Sequence, residues 1–336
     1  MSASELVVIS ESPPNAGTRL DHLDGNPLGV GHVYLRNNFQ PPATPPDHFE
    51  VDIDGVGVAM SSSRLAEIPQ VEYDMVLECA GNGRIFMDPI PDGTPWDYGG
   101  ASPVIFSGPR LLDVIGPVPA EAVDLVFTGA DSGHVDPEGT IQYQFSIGRD
   151  LWDRTILATH LDRKPLTLSH GGPVRLIVPG EYAMKSVKWL TRIATTTKPF
   201  TGHFVNKYRY FGDTIEPEGT GVGAIAVRSL ISRPRDGEDL RVGRYEVRGA
   251  AWSGAAPISR VEVSVDHRPW AEAKMAPTRD EYSAVPWTFS FEFSTGRHEV
   301  TVRAHDDDGH SQPLAPRWNR NGYANNGVHS VSFEVG

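Results

Sequence analysis

The stretch Trp287-Thr288-Phe289-Ser290-Phe291-Glu292-Phe293 places an aromatic ring at every second position, with small or charged residues between. Successive side chains of a β-strand point to opposite faces, so a period of two marks a strand with one buried face and one wet face. The same pattern recurs on either side. Upstream, Tyr245 and Val247 alternate with Arg244, Glu246 and Arg248, and Val261, Val263 and Val265 alternate with Glu262 and Ser264. Downstream come Val300 and Val302, then Val331, Phe333 and Val335. Short half-buried strands separated by Gly, Pro and Asp turns predict an antiparallel sandwich, and about 100 residues suits one immunoglobulin-like domain.

Working outward, the alternation begins near residue 230, and Ile231-Ser232-Arg233-Pro234-Arg235-Asp236-Gly237 reads as a linker. The expected domains are therefore 1–230 and 231–336, and a length of 336 residues agrees with two. The first 40 or so residues read as loop, ending in Gln40-Pro41-Pro42 and Pro45-Pro46. Phe49 to Ile53, Met75 to Cys79, Leu125 to Thr128 and Val174 to Val178 read as strands, and Ile105 to Ile115 as a turn entering a short helix. This half is expected to be mixed α and β, and the whole chain α+β. Neither a solenoid-period repeat nor a low-complexity tract is present.

Composition narrows the function classes. The 34 glycines and 28 prolines favour strands and turns over long helices. A net charge of -13 argues against a general nucleic-acid or acidic-membrane binder, while leaving room for a local basic pocket. The single cysteine, Cys79, excludes an internal disulfide and a cysteine-based zinc cluster. Met1 to Leu20 shows no secretory pattern, and no run approaches the roughly 20 apolar residues of a membrane span. The expectation is a soluble, cytoplasmic protein without membrane insertion.

Cys79 ends an apolar run, Val76-Leu77-Glu78-Cys79-Ala80-Gly81-Asn82-Gly83-Arg84. Alone, it reads more readily as a small packed hydrophobe than as a ligand. The functional alternative is that a strand end exposes the thiol, glycines admit a bulky ligand, and Arg84 favours the metal-binding thiolate. Arg36, Arg175, Lys185 and Lys188 stand at turns and strand ends of an acidic chain. Each singly reads as a surface charge; together they could grip an oxyanion. Tyr208 and Tyr210 share one strand face, and either could donate a phenol hydrogen bond beside that anion. His305-Asp306-Asp307-Asp308-Gly309-His310 reads as a turn rather than a metal site. Gly219-Thr220-Gly221-Val222-Gly223 lacks the following helix of a nucleotide loop. Neither a Gly-x-Ser-x-Gly elbow nor a His-Glu-x-x-His pair is present.

In combination these segments resemble the sulfite oxidase family, which includes assimilatory nitrate reductase. Cys79 to Arg84 is similar to its molybdenum-cysteine motif. Arg36-Asn37-Asn38 resembles its Arg-Asn-His segment, with Asn38 in place of histidine. Trp96-Asp97, Gly108 to Val114, Phe127 to Ser132, Tyr143 to Ile147 and His170 to Arg175 follow in order, with Val187-Lys188-Trp189-Leu190 after them. Gly249 to Gly254 and Val261 to Asp266 resemble its C-terminal dimerisation domain.

The resemblance implies a molybdopterin domain of mixed α/β type followed by an immunoglobulin-like domain that forms a homodimer. It implies a molybdenum–molybdopterin cofactor and, with no haem-attachment motif present, no haem. Cys79 would ligate the metal. Asn37, Asn38, Asp131, His170, Arg175, Ser186 and Lys188 would hold the pterin and its phosphate. Arg36, Arg84, Trp96 and Tyr208 would form the substrate pocket, with Arg36 and Tyr208 acting in catalysis. The reaction implied is oxygen-atom transfer to a small oxyanion, sulfite, with electrons passed to a separate acceptor. Gly83 replaces an arginine of the animal enzymes, Lys207 replaces an aspartate before the tyrosine, and Arg320 and Asn321 do not match the family's late basic residue. A same-fold enzyme reducing nitrate or an S- or N-oxide, and a cofactor-free binding or scaffold protein, are the competing readings.

Overall fold

The computed structural model describes residues 5–210 and 219–336. Residues 1–4, the beginning of the stretch read above for a secretory pattern, lie outside the described residues. The first half is built on two sheets. One orders Val56–Met60, Phe49–Ile53, Leu190–Thr196, Asp124–Val135 and Gly139–Gly148; the other orders Lys164–Pro165, His160–Leu161, Ala101–Pro109 and Gln70–Glu78. Phe49, Leu125, Phe127 and Ile193 are buried in the core beneath the first sheet.

The described residues are mostly sheet with few helices, one of them the short helix expected before Ile115. The α-helices are Ser62–Leu65, Leu111–Ile115 and His203–Lys207, each no longer than 5 residues. Segments this short cannot repay helix nucleation alone and persist only where packing holds them. The stretch from Ile105 to Pro109, read as a turn, is the end of a strand, with Phe106 opposite Tyr73 and Gly108 opposite Val71. Its glycine serves close packing: a Cβ at Gly108 would run into the carbonyl of Leu157.

The second half follows the alternation. Arg228–Arg233, Gly243–Trp252, Val285–Phe293 and Lys274–Met275 form one sheet. Asp239–Leu240, His329–Val335, Gly296–Asp306, Ile258–Val265 and Ala271–Glu272 form the other. Both sheets supply one core, to which Trp287, Val261, Val263, Val300, Val302 and Phe333 contribute. The linker reading fails at its start. Ile231 to Arg233 belong to the strand Arg228–Arg233, where Leu230 and Ile231 are fully buried and Ile231 faces Gly249. That strand straddles position 230, and its flanking serines and arginines disguise it as a polar connection.

Candidate active site

The strand Gln70–Glu78 sets the site by its alternation. Met75, Leu77 and Cys79 fall on the face shared with Tyr34 and Trp96. Val76 and Ala80 fall on the opposite face, in the core that also holds Leu230, Ala250 and Trp252 from the second half. Beyond Glu78 the chain turns. The Cys79 N–H donates to Gly100 O at 2.8 Å, and the Asn82 N–H returns to Cys79 O at 2.9 Å. Gly83 takes φ 81°, a left-handed conformation that glycine adopts without strain, and the short turn Arg84–Phe86 follows.

Two cavities meet at the cysteine. The first is lined by all seven residues expected to hold a cofactor: Asn37, Asn38, Asp131, His170, Arg175, Ser186 and Lys188. The second, of about 280 Å³, is lined by Arg84, Asp92, Lys207, Asn321 and Tyr323 among others. Arg36, Cys79 and Tyr208 line both. Of the two tyrosines left open by the sequence, Tyr208 is therefore the one at the junction. Tyr210 lines neither cavity, and burial together with the Glu181 carboxylate pushes its phenol up to about 12. Trp96 needs correction: expected on the substrate wall, it lines neither cavity. It is fully buried, edge-on to Tyr34 at 5.9 Å, and its indole N–H has no partner among the described residues.

The first cavity is strongly cationic. Arg175 is buried, donating to His170 O at 3.2 Å and Ser186 O at 3.3 Å. Burial draws its pKa down to about 10. Lys188 donates to Asn37 Oδ1 and lies 4.0 Å from the centre of the Trp189 ring. Burial, then repulsion from Arg175, holds its pKa well below the usual lysine value, against the pull of Asp131. Asp131 is raised to about 6, chiefly by burial. His170 is lowered to about 4 by burial, and its Nε2 lies 3.3 Å from Val33 O. Ser186 accepts the Val178 N–H at 3.2 Å.

At the junction, Arg36 donates to Asn38 Oδ1 at 2.9 Å and to the Asn37 carbonyl. Burial alone would lower its pKa, but Tyr208 and Cys79 outweigh that and raise it. The Asn38 amide lies 3.2 Å from the Tyr208 hydroxyl. Arg84 donates to Thr94 O at 2.6 Å and Asn321 O at 3.0 Å. Sequence reasoning missed Tyr34, Tyr143, Asn321 and Tyr323 as lining groups. Tyr143 carried a signal, since it opens the quoted segment ending at Ile147. Its hydroxyl donates to Met184 O at 2.6 Å.

These residues fit a molybdopterin. A single soft thiol lines the cavity, Arg175 is buried in its wall and Lys188 half-buried beside it, and neither is in an ion pair within 4 Å of a carboxylate among the described residues. Buried cations demand compensation. An anionic tail with several oxygen acceptors supplies it, and the thiol supplies the donor that a soft metal takes.

A family described as "Oxidoreductase molybdopterin binding domain" matches residues 38–204, and one described as "Mo-co oxidoreductase dimerisation domain" matches residues 221–335. Sulfite oxidase of Gallus gallus is 31% identical, over 96% of this chain and 77% of its own length. The chain belongs to the sulfite oxidase family. Mitochondrial sulfite oxidase of Homo sapiens is 30% identical over 97% of this chain, which spans 64% of that relative's length. Among this family's wider relatives, an NADH nitrate reductase of Oryza sativa is 28% identical over 90% of the chain and 37% of its own length. The fold matches the sulfane dehydrogenase SoxCD from Paracoccus pantotrophus with a TM-score of 0.81, covering 96% of this chain and 84% of that one at 21% identity.

Proposed function

We propose that this chain is a molybdenum-dependent oxidoreductase that oxidises sulfite to sulfate and passes the electrons to a separate acceptor. The observation that carries the reading is the shared wall of Arg36, Cys79 and Tyr208 between a cationic cavity and a second basic cavity. When bound, the cofactor supplies oxygen-atom transfer and stores two electrons. The protein does the rest. Cys79 would hold the metal. Asn37, Asn38, Asp131, His170, Ser186, Arg175 and Lys188 would hold the pterin and its phosphate, with His170 neutral near pH 7. Arg36, Arg84 and Lys207 would draw a small dianion into the second cavity. Tyr208 would donate its phenolic proton to one substrate oxygen while Arg36 offsets the charge. In the same reading, the part before the strand Arg228–Arg233 is the catalytic domain, and an immunoglobulin-like domain that opens with that strand pairs two copies. Among the described residues no helix is long and apolar enough to cross a membrane.

The test is metal analysis of protein from a molybdate-supplied host, beside sulfite oxidation with an artificial acceptor. Wild type should carry about one molybdenum per chain, and Cys79→Ser should lose turnover and the wild-type metal spectrum. Wild type without molybdenum, or Cys79→Ser with full metal and an unchanged spectrum, sinks the reading. Reduction of nitrate or another oxide is the second reading, favoured by Gly83 and Lys207, which depart from the animal pattern around the second cavity. Reduced viologen with nitrate, run against sulfite with an acceptor, separates the two.

A further inference from the structure

The face of the cysteine strand turned away from the cavities carries three carboxylates, Glu72, Asp74 and Glu78; the first two pair with Arg163 and Arg279 nearer the surface, and Glu78 stands immediately before Cys79. It is fully buried. Its Oε1 accepts from Asn82 Nδ2 at 2.9 Å, and its Oε2 accepts from Trp252 Nε1 at 2.7 Å. Arg228 Nε lies 3.1 Å from Oε1, an ion pair by distance, although its N–H is not aimed along a hydrogen-bond line. Arg228 Nη2 also lies 3.4 Å from Asn82 O. Arg228 and Trp252 face one another on neighbouring strands of the C-terminal half. The loop between that half's last two long strands closes on the same turn. Ala324 N donates to Ala80 O at 2.7 Å, Asn325 Nδ2 donates to Gly83 O at 2.6 Å, and Arg84 donates to Asn321 O.

We propose that Glu78, Arg228 and Trp252 form a clasp by which the C-terminal half fixes the seat of Cys79, making Glu78 a positioning residue for the metal ligand. The inference rests on Cys79 being that ligand. A buried ion pair is a poor purchase of stability, because apolar side chains of similar volume often do as well or better. What it supplies is direction. Glu78 is covalently adjacent to Cys79, and its carboxylate is held from three sides, so the strand end cannot rotate without breaking charged contacts in a dry core. Groups behind a metal ligand set its orientation, and their loss typically costs 10- to 100-fold in metal affinity or activity.

The test compares Glu78→Gln, Trp252→Phe and the charge-free double variant Glu78→Leu/Arg228→Met with wild type, all from the molybdate-supplied host. Three measurements are made: thermal midpoint, the electron paramagnetic resonance spectrum of the half-reduced metal, and amide exchange across residues 79–84. The spectrum responds to the angle at which sulfur meets the metal, which a merely structural role leaves unmoved. Trp252→Phe, the mildest change, should stay folded and keep its metal content, with a thermal midpoint lowered by the loss of one buried hydrogen bond. It should shift the spectrum, lower kcat roughly 10-fold with KM unchanged, and speed exchange across 79–84 by about tenfold. The double variant should show the same shifts whether or not its midpoint rises. Folded Trp252→Phe and double variants with wild-type spectrum, kcat and local exchange overturn the clasp. If Glu78→Gln fails to fold, those two still decide. If wild type carries no molybdenum, the cofactor reading falls and the positioning role with it; if wild type carries the metal and the variants keep wild-type exchange across 79–84, the clasp alone falls.

Discussion

At the scale of single residues, the junction separates two tyrosines that the sequence presents as equals. Tyr208 lines both cavities beside Asn38 and Arg36, whereas Tyr210 is turned toward Glu181. Removing one preorganised donor costs about 10²-fold where charge develops on the substrate. Tyr208→Phe should therefore lower kcat/KM for sulfite by about 10²-fold, and Tyr210→Phe should leave it within about twofold. Equal losses in steady-state assays of the two would remove Tyr208 from its role. Most of the site was legible at this scale. The motif segments carry Arg36, Asn37, Asn38, Asp131, His170, Arg175 and Lys188, Ser186 stands just before the last of them, and the structure brings all of these to one cavity. Trp96 was not legible, because a tryptophan beside a glycine-rich stretch gives no sign of whether its ring faces a cavity or the core behind it.

Among elements, the strand that ends at Cys79 depends on the turn that stops it. Gly83 has φ 81°, and a Cβ there would come within 3.2 Å of the Asn325 amide that holds its carbonyl. A left-handed non-glycine residue costs about 1–3 kcal/mol. Gly83→Ala should lower unfolding free energy by that amount in denaturant titration, together with molybdenum content; unchanged values would mean the turn relaxes freely. The alternating strands of the C-terminal half were readable because one face is wet and one dry. The strand Arg228–Arg233 was not, because nearly all of it is buried on both faces, polar residues included, so no wet face alternates with a dry one. Glu78 was hidden too: its partners Arg228 and Trp252 lie far along the chain, and no local spacing announces them. The one short helix read from the sequence is present at Leu111–Ile115, while Ser62–Leu65 and His203–Lys207 escaped notice because four or five residues are too few to show a period.

For the whole molecule, stability should carry the mark of a buried histidine between the halves. His329 is buried, and its Nδ1 accepts the Ile231 N–H at 2.9 Å, which requires that nitrogen to be unprotonated. Burial, aided by Arg228, lowers its pKa from 6.5 to about 3. The unfolded chain binds this proton more readily. The stabilisation is therefore complete above pH 6.5 and is lost as pH falls toward 3, at about 1.4 kcal/mol per pH unit for one proton. His329→Gln should flatten the fall in unfolding free energy between pH 6 and 4; an identical slope would assign the acid sensitivity elsewhere. The clasp on the cysteine strand has a different consequence, in heredity. If Glu78 answers to Arg228 and Trp252 across the two halves, neither half can be exchanged with that of a cousin unless those three letters travel together. Such a lineage passes on its catalytic and pairing portions as one inseparable text, and chimeras cut between them should work only where the donor spells the same contact.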